Sequence, residues 1–180
     1  GAESVIDANL VSAAVAFGAD GIVVDGFTIR KGGGSLGAGI HVPASSSGYA
    51  IRNNIITDNV MGIYANSDAA ATIENNLFDG NNRDGASGGA GIYAEATQGL
   101  TVQGNRFVNH TLNNPVIFGA TSAGAHQNLL FKNNVLDNSY GPYALSIVNG
   151  RFEGNTFHTA GFTGFGLADG SSGVDFINND

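Results

Sequence analysis

Apolar positions in this chain return in a fixed phrase: an aliphatic or aromatic residue, two spacers, then an asparagine. It reads Ile51-Arg52-Asn53-Asn54, Ile73-Glu74-Asn75-Asn76, Val102-Gln103-Gly104-Asn105, Phe131-Lys132-Asn133-Asn134, Phe152-Glu153-Gly154-Asn155 and Phe176-Ile177-Asn178-Asn179. Val24-Asp25-Gly26-Phe27 is an earlier, degenerate copy with Phe27 in the asparagine place. The first residues fall at 24, 51, 73, 102, 131, 152 and 176, so the spacings are 27, 22, 29, 29, 21 and 24. A period in the twenties held through seven copies predicts a solenoid, whose units stack because none can bury its apolar face alone.

Within one period the pattern predicts three strands. In residues 47–69, Tyr49-Ala50-Ile51-Arg52 alternates and reads as a short strand. Asn53-Asn54 reads as a tight turn, because asparagine tolerates the left-handed backbone conformation. Ile55-Ile56-Thr57 is a second strand, Asp58 to Gly62 a looser turn, and Ile63-Tyr64-Ala65 a third strand. The third strand recurs as Gly39-Ile40-His41-Val42, Gly91-Ile92-Tyr93-Ala94, Val116-Ile117-Phe118, Leu145-Ser146-Ile147 and Phe165-Gly166-Leu167. Length varies in the turn before that strand, at Gly80 to Gly89 and Asn109 to Asn114, and after it at Thr121 to Gln127. The expected architecture is all-β, a three-faced parallel β-helix of about seven coils forming one domain over residues 1–180. Asn54, Asn76, Asn105, Asn134, Asn155 and Asn179 should form a structural ladder of stacked amides, each net hydrogen bond worth on the order of 1 kcal/mol. Ile56, Phe78, Phe107, Leu136 and Phe157 should stack as a core column. Both ends read as continuing, since the first coil carries no capping helix and the last stops just after its asparagine. The expectation is a piece of a longer solenoid, or a domain that self-associates end to end through unpaired strand edges.

Composition narrows the partners. The formal charge is −8 with 7 lysines and arginines, and no basic cluster exists to follow a nucleic-acid backbone. Without cysteine there is neither a disulfide framework nor a thiolate metal site. No apolar segment approaches the roughly 20 residues that span a bilayer, so membrane insertion is not expected. A secreted or cell-surface location is the expectation, with polysaccharide as the partner. A polyanionic polymer would have to be held through hydrogen bonds or a bridging cation.

The phrases IRNNIITDNVMGIYA, IENNLF and VQGNRF resemble the repeats of the pectin-lyase-like superfamily, and the resemblance covers the chain roughly from Ser4 to Asp180. It implies a right-handed winding and a bias toward carbohydrate, in a superfamily that holds lyases, polygalacturonases, alginate epimerases, tailspikes and non-catalytic surface proteins. The catalytic strings of those enzymes are missing: neither Asn-Thr-Asp, Asp-Asp nor Asp-Pro-His-Glu occurs. The third strand carries no basic residue and no clustered carboxylates.

What the third strand does carry is His41, Tyr64 and Tyr93, aligned on successive coils and facing outward by alternation. Such rings could stack on sugars, or merely brace their own sheet; a tyrosine base is the remote catalytic use. A second column, Arg30, Thr57, Asp79, Val108, Asp137 and His158, has its acids two coils apart, too far for a paired-carboxylate hydrolase. Gly85 to Gly91 lacks the lysine of a phosphate loop, and calcium at an isolated turn carboxylate such as Asp68 or Asp84 has no motif behind it, so no cofactor is expected. His110 and His126 fall in long turns and should be exposed. The expectation is a structural or carbohydrate-binding module, leaning away from an enzyme. The alternative is a lyase, hydrolase or epimerase acting on a uronate-containing glycan.

Overall fold

In the computed structural model the described residues are 4–34, 37–66, 70–85, 87–119, 124–159 and 164–180, with the side chains at 138, 139 and 159 left aside. They wind into three seven-stranded parallel sheets. Each coil contributes one strand to each sheet. Sheet A runs through Phe27–Arg30, Ile55–Thr57, Leu77–Asp79 and their equivalents, from Ser4–Asp7 to Thr156–Thr159. Sheet B holds Val15–Ala16, Ala38–Val42, Met61–Asn66, Ile92–Glu95, Val116–Gly119, Tyr143–Leu145 and Gly166–Ala168. Sheet C holds the strand that leads into each ladder asparagine, from Val23–Asp25 to Asp175–Ile177.

The bend from sheet C to sheet A is two residues long, and its chemistry explains the repeated phrase. Its first residue takes the left-handed conformation: Asn53 at φ 55°, Asn75 at 55°, Asn133 at 53° and Asn178 at 51°, with Gly104 and Gly154 doing the same at 63° and 64°. Asparagine and glycine are the residues that reach this region at least cost. The second residue turns inward and is buried. Asn76 shows what it does there. Its Oδ1 accepts from both the backbone N–H and the Nδ2 of Asn54 at 3.0 Å. Its own Nδ2 donates to the Ile51 carbonyl at 2.9 Å and to Asn105 Oδ1 at 3.0 Å. The same bonds repeat through Asn105, Asn134 and Asn155 to Asn179. Phe27 donates its N–H to Asn54 Oδ1, but has no amide to pass on, so the ladder begins there.

The core is a set of columns one residue wide. Ile51, Ile73, Val102, Phe131 and Phe152 stack in sheet C, and Ile29, Ile56, Phe78, Phe107 and Leu136 in sheet A, all buried. Phe78 and Phe107 lie 4.7 Å apart with ring planes within 3°. Phe157 continues this column but is only half-buried, in the last coil. The column Arg30, Thr57, Asp79, Val108, Asp137 and His158 is aligned as its spacing predicts.

Three expectations need correction. A second, shorter ladder exists on the turn after sheet A: Asn59 donates its Nδ2 to Asn81 Oδ1 at 2.8 Å, and Asn81 donates to the Ile56 carbonyl at 2.9 Å. His110 occupies the corresponding place on the next coil. It is buried, not exposed, and its Nδ1–H donates to the Gly89 carbonyl at 2.8 Å, tying down the long turn. His126 is buried too. Its Nδ1 lies 3.2 Å from the Thr97 N–H, which can only donate, so Nδ1 is the acceptor and the proton sits on Nε2. Nε2–H then donates to the Gly119 carbonyl at 3.0 Å. Lastly, Leu145-Ser146-Ile147 is not one strand. Ser146, at φ 51°, breaks it, and Ile147–Val148 pairs with His126–Gln127 in a separate two-stranded sheet.

Two predictions follow from the buried amides and imidazoles. Asn105→Ala removes the acceptor of the Asn76 N–H and of one Asn76 Nδ2–H, and one donor to the Ile73 carbonyl. It should cost about 3 kcal/mol, a fall in Tm of roughly 6–12 °C by calorimetry. Burial lowers both His110 and His126 below 6.5 in the folded state. The unfolded chain therefore takes up protons first as pH falls, so the stability they contribute is complete above 6.5 and drains away below it. His110→Asn, which would extend the second ladder, should keep Tm at pH 8 within a few degrees and flatten part of its decline toward pH 5, readable by thermal denaturation.

Candidate functional site

Alternation in sheet B sends every second side chain outward. Ile40 and Val42 point into the core while His41 between them stays half-exposed. Ile63 and Ala65 flank Tyr64, and Ile92 and Ala94 flank Tyr93, in the same way. Strand pairing places His41 opposite Tyr64 and Tyr64 opposite Tyr93. The His41 and Tyr64 rings stack with centroids 5.3 Å apart and planes 20° apart, and Tyr93 follows at 5.8 Å, tilted by 53°. Parallel strands lie about 4.8 Å apart, so this spacing is imposed by the backbone rather than by the rings.

The structure extends the column beyond the residues that the sequence points to. Tyr93 pairs with Ile117, Ile117 with Tyr143, and Tyr143 with Gly166. Ile117 is nearly buried, whereas Tyr143 is 39% exposed. The available signal for Tyr143 was its alternation with Ala144 and Leu145, directly after Gly141-Pro142. The glycines beyond two of the rings leave room for them. A Cβ on Gly119 would sit 2.9 Å from the Tyr93 hydroxyl, and one on Gly166 2.7 Å from the Tyr143 ring.

Glu95 is a charged group on this face that the sequence alone does not single out. It lies two residues after Tyr93 on the same outward face, opposite Asn66 of the preceding coil and Gly119 of the next. The Tyr64 hydroxyl donates to Glu95 Oε2 at 3.1 Å. Read as one residue, Glu95 is a lone acid in a turn-rich chain; only the pairing of coils adds the Tyr64 phenol to the Tyr93 phenol of its own strand. Burial, then the Glu95 hydrogen bond and charge, push the Tyr64 phenol above its ordinary value. Burial, then the Glu95 charge, do the same to Tyr93. Burial pushes the His41 imidazole down, toward the neutral form. A general base made of tyrosine needs a lowered phenol, so this electrostatic setting opposes proton abstraction by Tyr64 or Tyr93.

The rings also have an apolar footing. Tyr64 and Tyr93 pack against a small cluster outside the main core, made by Ala38, Met61, Ala90 and Ile117. A separate cleft of about 460 Å³ lies where the turns leaving sheet A gather, lined by Leu10, Gly33, Gly34, Val60, Asn82, Arg83 and Asp84. None of the aromatic column reaches it. Its guanidinium is engaged, since Arg83 bonds the Asp58 carboxylate at 2.7 Å and the Asp58 carbonyl at 2.8 Å.

Among the described residues no group of three or more His, Asp or Glu side chains converges as a metal site would, and no helix is long and apolar enough to cross a membrane. Asp84 is exposed at the rim of the cleft, while Asp68 lies outside the described residues. The glycine-rich stretch leads into the strand Ile92–Glu95, where a phosphate loop would lead into a helix.

Compared with known proteins, residues 4–180 match the family described as a right handed beta helix region. No curated protein matches. Among solved structures, the chain is similar to the crystal structure of a DFA-IIIase from Arthrobacter chlorophenolicus A6 without its lid, with a TM-score of 0.63 at 11% identity. The likeness covers 92% of this chain and 50% of that one, so the chain spans half the length of that enzyme. At this identity the likeness extends to the fold.

The electrostatic setting of the column is open to direct titration. Tyr64 and Tyr93 should ionise above 10.0, and Glu95→Gln should bring both back toward that value, read from phenolate absorbance in single-tyrosine variants.

Proposed function

Since the chain belongs to the right-handed β-helix family, we propose that it is a carbohydrate-binding module whose contact surface is the outer face of sheet B. The observation that carries this reading is the run of half-exposed rings His41, Tyr64 and Tyr93 on consecutive coils, held in line by strand pairing. Because His41 and Tyr64 already stack on each other at 5.3 Å, the column meets a sugar chain with its ring edges, phenol hydroxyls and imidazole rather than with open ring faces. Glu95, Asn66 and the tyrosine hydroxyls add hydrogen-bonding groups along the same line. Because the rings sit on paired strands rather than on loops, little ordering is needed on binding.

A second reading has its own support. Tyr64 and Tyr93 cover the apolar cluster of Ala38, Met61, Ala90 and Ile117, so the column also braces the sheet and the long turn beside it. On that reading the face is scaffold, and the rings matter for stability alone.

The two readings part in one experiment. Native electrophoresis through gels cast with acidic and neutral polysaccharides should retard the wild type selectively. Tyr64→Ala and Tyr93→Ala should each weaken retardation about fivefold, in keeping with about 1 kcal/mol per ring. Unchanged mobility in every gel, with a loss of Tm in the variants, is the result the scaffold reading expects. New reducing ends or unsaturated uronate in the gel would point to a polysaccharide-active enzyme instead.

A further inference from the structure

We propose that the outer face of sheet B selects neutral hexose chains and rejects uronate polymers, because Glu95 is the charged side chain aligned with its rings and no cation accompanies it. The inference rests on the carbohydrate reading and adds the class of glycan.

All 7 lysines and arginines are in ion pairs, and none lies on a strand of sheet B. Arg30 and Lys31 both hold Asp7 at 2.9 Å, and the Asp7 carboxyl is held down to about 2, first by Lys31. Arg52 holds Asp25 at 2.8 Å, and Arg106 holds Asp137 at 3.0 Å. Lys132 and Arg151 share Glu153 in sheet C, and Arg83 is engaged by Asp58 in the turn after sheet A. Except for the Arg151–Glu153 pair, which lies within one strand, each of these pairs joins one coil to the next, and all of the cations sit on sheets A and C or in the turns that leave sheet A.

A uronate needs a partner for its carboxylate. Leaving one desolvated and unpaired against the face would cost more than the remaining contacts of the sugar return. The side chains of the sheet B face near the rings offer it nothing cationic. His41 is kept toward its neutral form by burial, the two phenols hold their protons, and the formal net charge of −8 adds a general repulsion of polyanions. A neutral hexose meets the opposite situation. Glu95 already accepts from Tyr64 at 3.1 Å, and a carboxylate has capacity for about four hydrogen bonds, so acceptor sites remain for sugar hydroxyls. Hydroxyl donors on a carboxylate are charge-assisted and stronger than neutral pairs.

The test compares hexasaccharides in matched pairs that differ in one group: glucan with its C6-oxidised counterpart, mannan with mannuronan, and galactan with galacturonan. Binding is measured by calorimetry at pH 7.5 in EDTA, and again with calcium added. Wild type should prefer the neutral member of any pair it binds by about tenfold. Glu95→Gln, which keeps an acceptor for the Tyr64 hydroxyl, should shrink that preference to about threefold. Equal or tighter binding of a uronate, with or without calcium, overturns the inference while leaving the carbohydrate reading standing. A neutral preference that Glu95→Gln leaves unchanged overturns the role of Glu95. Absence of binding to all six sugars overturns the carbohydrate reading, and the inference falls with it.

Discussion

A parallel coil must turn its backbone through a sharp corner every few residues, and each corner leaves polar groups facing the interior. The buried asparagine amide resolves this at the corner between sheets C and A. Its Oδ1 takes two donors from the coil before it, and its Nδ2 fills both a backbone carbonyl and the next amide. One side chain thereby closes the corner and links three successive coils. Asparagine suits the position because it carries an acceptor and two donors on a short stem. Everything else in the molecule is registered on this column.

Register is the route from the ladder to the proposed surface. Once Asn54, Asn76 and Asn105 are aligned, the strands of sheet B are aligned as well, provided that the turns between sheets A and B absorb their differences in length. They do so in part through the Asn59–Asn81 pair and through His110, which pins the turn that ends at Gly89. The rings of His41, Tyr64 and Tyr93 therefore stack at strand spacing, and the Glu95 carboxylate and the small apolar cluster beneath them reinforce that line. A mutation in the ladder would disturb that face from across the core, since a slipped coil would move a ring off its line. Fold and surface are one mechanical unit.

The division of charge follows from the same stacking. Cross-coil ion pairs are local neighbours on sheets A and C, where oppositely charged residues occupy adjacent or diagonal places. Sheet B carries aromatic, small and apolar residues outward, with Glu95 near the centre of the aromatic run. The three faces of one coil thus differ in chemistry although their backbones are equivalent.

How far the sequence could be read depends on the range of the interaction that decides each feature. The phrase ending in asparagine is local and repeated, so the three-sided coil, the amide ladder, the core columns and the alignment of His41, Tyr64 and Tyr93 were all legible in it. The features it did not disclose depend on contacts between coils of unequal length. His110 and His126 sit in segments that look like solvent-facing turns, and become buried because the preceding coil supplies the Gly89 carbonyl to one and the Thr97 N–H to the other. Tyr143 joins the ring column because Ser146 breaks the chain after Leu145, a backbone event that shifts the strand by two residues from its apparent place. Glu95 reads as an isolated acid until the Tyr64 hydroxyl of the preceding coil reaches it. Periodicity determined which residues stack, since repetition at a fixed spacing is a property of the chain itself. Tertiary structure decided which polar groups meet, because hydrogen bonds act over about 3 Å and the partners lie 20 to 30 residues apart.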